Sequence, residues 1–132
     1  MLQYELQKDN VISIQYLGSE DNQIAAPLGA SQQQIGFNDV VLDWDSKLRR
    51  NLMYARLGEE ELYSFALRLS LAYLRKNPDV TGDFKLRTSN DSLYLDDVRL
   101  PRLQANSGGY RLPPSEALGW QILLQYQSPK IA

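Results

Sequence analysis

The residues with the most evident chemical potential are three aspartates, Asp39, Asp43 and Asp45, which precede the adjacent arginines Arg49 and Arg50. Closely spaced carboxylates could bind calcium, but the glycine and the terminal glutamate of an EF-hand loop are missing here. Aspartates at turns are otherwise explained by hydrogen bonds to their own local backbone. We therefore expect turn chemistry at these aspartates and predict no metal site.

The paired arginines allow two interpretations. Adjacent side chains of a strand point to opposite faces, so one of Arg49 and Arg50 should face inward. A buried guanidinium requires a carboxylate or carbonyl partner. We favour an ion pair with Asp39, Asp43 or Asp45 across a hairpin. The alternative is that an arginine contacts an anion in a binding pocket.

Other polar clusters carry weaker signals. The glycine-rich stretch Ala105–Gly109 matches neither a P-loop nor a dinucleotide fingerprint, because no lysine follows it and no helix opens from it. We expect an exposed helix start at Glu59, Glu60 and Glu61. Their negative charges would stabilise the helix through its dipole there, and we do not expect acid–base catalysis from them. Trp44 and Trp120 are expected to serve core and hairpin packing. We predict no catalytic residues and leave the ligand-binding residues unknown.

Composition excludes several classes of function. The chain has no cysteine and no histidine, which removes thiol chemistry, histidine–zinc sites and a histidine phosphorelay within these residues. The 14 basic residues are scattered, so no basic stripe favours a nucleic-acid partner. We expect neither a cofactor nor an enzymatic activity in this chain.

Length and hydropathy favour one soluble folding unit. A chain of 132 residues, of which 43% are hydrophobic, can bury a core of its own. No apolar run approaches the roughly 18 residues needed to span a bilayer, and the N-terminus lacks the pattern of a signal peptide. We predict a single domain over residues 1–132, whose contact with a membrane would come through segments outside this chain.

Hydrophobic periodicity predicts an α+β fold, with a mainly antiparallel sheet of hairpins and one long amphipathic helix packed on one face. Polar turns at residues 43–46 and 96–97 favour hairpins between the strands beside them. The predicted strands are Val11–Leu17, Ile35–Leu42, Lys47–Leu57, Asp83–Thr88, Ser92–Leu95, Val98–Leu103 and Trp120–Tyr126.

The helix is expected at about residues 59–76 and should organise the core. It would end at Asn77 because the residue before a proline disfavours helical angles. Helical spacing predicts that it buries a stripe formed by Leu62, Phe65, Ala66, Leu69, Ala72 and Tyr73.

Three segments, in this order, resemble a known family. They are Gly36–Arg50, which has the Asp-x-Asp and Arg-Arg pairs, then Tyr63–Leu69 in the helix, and then the closing Trp120–Pro129. Together they resemble the second type of CHASE domain, a sensory extracellular domain associated with cyclases and histidine kinases. The three segments resemble the C-terminal part of the family domain. Ser46 stands where the family usually has a turn glycine.

The resemblance implies an extracytoplasmic, periplasmic input domain of a bacterial transmembrane signal-transduction protein. A kinase or cyclase output domain would lie elsewhere in the parent protein, in the cell membrane. The partner would be a small-molecule or protein signal of unknown identity, and a homodimer is possible. The alternatives are a free-standing soluble ligand-binding or protein-interaction domain, and a small enzyme using carboxylates.

Overall fold

The computed structural model describes residues 1–19, 21–90 and 92–128. Within them the chain forms two α-helices, eight strands and three short 3₁₀ turns. In chain order the helices and strands are α1 (Leu2–Leu6), β1 (Ser13–Gln15), β2 (Ile35–Phe37), β3 (Arg50–Leu57), β4 (Glu60–Tyr63), α2 (Phe65–Lys76), β5 (Leu86–Ser89), β6 (Ser92–Leu95), β7 (Val98–Leu100) and β8 (Trp120–Leu123). No α-helix of this part of the chain has the length and apolar content needed to cross a bilayer.

Two three-stranded antiparallel sheets form the body of the fold, which confirms the α+β class. In one sheet β3 lies between β4 and β8, and in the other β6 lies between β5 and β7. The predicted hairpin at Asp96-Asp97 is confirmed, because Leu95 pairs with Val98 across that turn. The strands β1 and β2 form a separate parallel pair.

The hairpin predicted around residues 43–46 is wrong. The strand β2 ends at Phe37 and pairs with β1, while β3 takes β4 and β8 as its partners. A single antiparallel bridge between Val41 and Arg50 remains across the turn. The reason is that the ion pairs of Asp43 with Arg49 and Arg50, and not a backbone ladder, hold this turn against the start of β3.

The long helix predicted at residues 59–76 is also wrong in extent. The helix α2 has 12 residues and begins at Phe65, because Glu60–Tyr63 pair with β3 as an antiparallel strand. Gly58, at φ 61°, makes the tight turn between these strands. The Ser64 side chain then accepts a hydrogen bond of 3.2 Å from the Leu67 N–H and caps the helix.

The predicted apolar stripe of the helix is only partly buried. Leu71 is the buried residue of α2, whereas Leu69 is 46% and Tyr73 is 68% exposed. The core lies between the two sheets instead, where Tyr54, Leu93 and Trp120 pack together. The rings of Tyr54 and Trp120 meet edge to face with 5.8 Å between their centroids.

The start of α2 lies directly on β2. A Cβ built at Gly36 would come within 2.5 Å of the Phe65 Cα and 2.7 Å of its nitrogen. Gly36 is therefore required for the close approach of two backbones, which fixes the helix against the parallel strand pair.

Candidate functional site

The charged residues of the Asp43 turn and the start of β3 form a buried centre. Arg50 is 1% exposed, and its Nε donates to Asp43 Oδ1 at 2.8 Å. Its Nη1 donates to the Gln121 Oε1 at 3.1 Å and to the Glu116 carbonyl at 3.2 Å. The expected ion pair is confirmed, and it joins the turn to β3 and β8.

Asp43 is the common partner of both arginines. Its Oδ2 accepts hydrogen bonds from Arg49 Nη1 at 3.0 Å and from the Tyr110 hydroxyl at 2.8 Å. Burial alone would raise the pKa of Asp43, but the hydrogen bonds from Tyr110, Arg49 and Arg50 hold it below its ordinary value. The carboxylate is therefore ionised and fully occupied by protein donors. Such a centre is suited to holding the fold together.

The outward partner of this centre is Arg49, whose side chain is 43% exposed. Its two terminal nitrogens donate to both oxygens of Asp45, at 2.8 and 2.9 Å. Asp39 lies elsewhere and accepts the backbone N–H groups of Leu17 and Gly18 at 2.9 and 2.8 Å. The three aspartates thus do not converge, and no group of metal-ligating side chains occurs among the described residues.

The Asp45–Arg49 pair predicts a loss of stability in acid. The hydrogen bond from Arg49 lowers the pKa of Asp45 from 3.8 to about 2. A lowered folded-state pKa contributes stability that is present above the unfolded value and is lost as the pH falls through the folded value. In urea titrations from pH 4 down to pH 2, we expect a shallower loss of unfolding free energy for Asp45→Asn than for the wild type.

The control is Asp97→Asn on the exposed β6–β7 turn, which should follow the wild-type profile. A profile for Asp45→Asn that runs parallel to the wild type would contradict the assignment.

The other residues singled out from the sequence separate into different environments. Ser107–Gly109, within the glycine-rich stretch, forms a 3₁₀ turn in which Ser107 accepts a backbone hydrogen bond from Gln104. Trp120 is buried as expected, but Trp44 is 97% exposed, so the packing role predicted for Trp44 is wrong. The glutamates Glu59–Glu61 lie before the helix, in the β3–β4 turn and β4, rather than in its first turn.

A cleft of about 790 Å³ lies beside α2, and its polar lining was missed by the sequence analysis. Two arginines of the helix line it, Arg68 and Arg75, together with Glu61 and Tyr63 of β4. The volume falls in the range of small-molecule sites. The seven-residue spacing of the two arginines was a usable signal, because it places them on one helix face.

Arg68 is held in a fixed position at the cleft. Its Nε donates to the Ile35 carbonyl and its Nη2 to the Gln32 carbonyl, both at 3.0 Å. Its guanidinium lies over the Tyr63 ring, 4.5 Å from the centroid. Arg75, two turns further along α2, donates from Nη2 to the Phe84 carbonyl at 3.0 Å. These bonds orient the two cations at the cleft wall.

Glu61 is one of the carboxylates that line the cleft. Its Oε1 accepts from the Tyr54 hydroxyl and from Thr88 Oγ1, each at 3.0 Å, and its Oε2 accepts from the Tyr63 hydroxyl at 3.1 Å. Burial would raise the pKa of Glu61, but these hydrogen bonds hold it below its ordinary value. The cleft therefore presents fixed charges of both signs, an arrangement that can bind a polar small molecule.

Comparison with known proteins gives one result that covers almost the whole chain. Neither the curated proteins nor the solved structures contain a significant match. The sequence model of the CHASE2 domain, in contrast, matches residues 2–132. CHASE2 domains are extracellular sensory domains of signalling proteins. With its α+β fold and its family match, this chain belongs to the CHASE2 domain family and is a sensor domain in signal transduction.

Proposed function

We propose that this chain is the extracytoplasmic input module of a bacterial transmembrane signal-transduction protein. The observation that carries the proposal is the match to the CHASE2 domain over residues 2–132. Membrane helices and a kinase, cyclase or other output domain would lie in the parent protein outside this chain. On the resemblance given above, the chain would be the C-terminal part of a larger sensor domain and could act as a homodimer.

The electrostatics of the chain favour binding over catalysis. A carboxylate enzyme of the kind considered above needs an acid whose pKa is raised into the working range. Among the described residues, the carboxyl groups with displaced pKa values are Asp43, Asp45, Glu61 and Asp96, and each is displaced downward. They are ionised at neutral pH and act as hydrogen-bond acceptors.

The cleft beside α2 is the proposed place of sensing. A ligand that contacts α2 on one side and β4 on the other would stabilise one relative position of these elements, and so shift the population of conformations. The strand β4 pairs with β3, and β3 pairs with β8. A displacement of β4 at the cleft would therefore act on the sheet formed by β4, β3 and β8.

The experiment that tests the proposed function is a topology assay on the parent protein. Alkaline phosphatase, which is active only outside the cytoplasm, would be fused within the parent directly after this domain. We expect high phosphatase activity for this fusion, and low fluorescence for a green fluorescent protein fusion at the same position. An inactive phosphatase fusion together with a fluorescent counterpart would refute the extracytoplasmic placement.

A further inference from the structure

We propose that the cleft beside α2 binds a small zwitterion of the amino-acid class. The ligand carboxylate would contact Arg68 and Arg75, and the ligand ammonium would contact Glu61. The inference rests on the proposed sensory function and deepens it, because it assigns a chemical class to the signal.

The two arginines of the cleft, Arg68 and Arg75, make no direct ion pair with a carboxylate within residues 1–19, 21–90 and 92–128. Their partners are the neutral carbonyls of Gln32, Ile35 and Phe84. Burial is the main cause that lowers the pKa of Arg68, and the charge of Arg75 lowers it further against the opposing effect of Tyr63. An anion between the two arginines would relieve the repulsion between their charges.

The donors that remain on these arginines suit a carboxylate. In the described part of the chain, Arg68 Nη1 and the Nε and Nη1 of Arg75 have no hydrogen-bond partner. Planar guanidinium groups bind carboxylates through paired, charge-assisted hydrogen bonds. Because Arg68 is already held by two carbonyls and the Tyr63 ring, it needs little reorganisation to bind.

The carboxylate of Glu61 is held in position in a similar way. Glu61 is held by three hydroxyl groups and makes no direct salt bridge with a cationic side chain of the described residues, although the charge of Arg56 also lowers its pKa. Its Oε2 accepts only the Tyr63 hydroxyl there, so acceptor capacity remains for an ammonium group.

Tyr63 sets the distance between the two charges. Its ring lies under the Arg68 guanidinium, 4.5 Å from the centroid, and its hydroxyl lies 3.1 Å from Glu61 Oε2. The cation and the carboxylate are therefore one tyrosine side chain apart. An α-amino acid carries its carboxylate and its ammonium on one carbon, so it can reach both groups with one hydrogen bond of about 2.9 Å at each end.

The mixed charge of the cleft also selects against other ligands. Glu59, Asp83 and Lys85 also line the cleft, so its lining holds charges of both signs, and a ligand that carries both signs suits it better than one with charges of a single sign. Leu86, which is only partly buried, contributes apolar surface to the lining that can receive the side chain of an amino acid. The combination points to a molecule that carries both charges and a small apolar part.

The test begins with the melting temperature of the 132-residue chain in the presence of each common L-amino acid. The best binder is then compared by calorimetry with its N-acetyl and C-amide derivatives and with succinate. We expect a raised melting temperature for at least one amino acid. We also expect both derivatives to bind at least about tenfold more weakly, because each lacks one charged hydrogen-bonding group.

Variants locate the site. Glu61→Gln and Arg75→Gln should each weaken binding by about tenfold or more, while Arg99→Gln on the exposed face of β7 keeps the wild-type affinity. Circular dichroism melts identify any variant that fails to fold, and the other cleft variant then carries the test. The inference is overturned if no amino acid raises the melting temperature, or if the cleft variants bind like the wild type. Because the topology assay uses no ligand, the two proposals can fail separately.

Discussion

Replacing Arg50 with alanine is expected to lower the free energy of unfolding by about 3–5 kcal/mol, a large fraction of the stability of a small domain. The substitution removes the donor to Asp43 Oδ1 and to the Gln121 Oε1. Both acceptors are buried, so water replaces the lost hydrogen bonds poorly. Urea denaturation followed by circular dichroism measures the change.

The matched control is Arg49→Ala, which removes the neighbouring guanidinium from the same carboxylate. Because the Arg49 side chain is 43% exposed, solvent screens its ion pairs, and we expect a much smaller loss than for Arg50→Ala. Equal losses for the two variants would contradict the buried-pair assignment. Loss of ligand binding without loss of stability in Arg50→Ala would restore the anion-pocket interpretation.

Gly36→Ala is expected to destabilise the fold by about 3 kcal/mol, at the upper end of the usual cost of overpacking. The added Cβ would meet the backbone of Phe65 at 2.5 Å and that of Ser64 at 3.1 Å. Backbone atoms cannot rotate away as a flexible side chain can, so α2 must separate from β2. The same urea titration measures the loss.

Gly58→Ala provides the comparison for this variant. A Cβ at Gly58 meets nothing within 4 Å, but its φ of 61° is left-handed, so only a conformational cost of about 1 kcal/mol is expected. If Gly36→Ala is no more destabilising than Gly58→Ala, the close approach of α2 to β2 is not a constraint on the fold.

The features that the sequence predicted correctly depend on local signals. The β6–β7 hairpin follows from two short apolar runs around Asp96-Asp97, and the last strand follows from the apolar residues after Gly119. The ion pair of Arg50 could also be predicted from the sequence, because a buried arginine requires a carboxylate and Asp43 lies only seven positions away.

The errors arise where distant contacts decide the local structure. Glu60–Tyr63 are compatible with a helix, but pairing with β3 makes them a strand, and Ser64 then becomes the cap. Ser64 was the available signal for the later helix start. The cleft could not be predicted because Glu61 and Arg68 come together only after β4 and α2 pack through Tyr63.

The buried centre around Arg50 also determines the order in which native contacts can form. The partners of Arg50 at Glu116 and Gln121 lie 66 and 71 residues further along the chain. Closing such long loops is slow because the chain loses its entropy before the contacts form. Because the chain is synthesised from its N-terminus, β3 can pair with β4 soon after both have been synthesised, whereas β8 becomes available for pairing only later. Until β8 is synthesised, Arg50 lacks its partners at Glu116 and Gln121, so the native centre of this sensor domain is completed only after the chain has grown past Gln121.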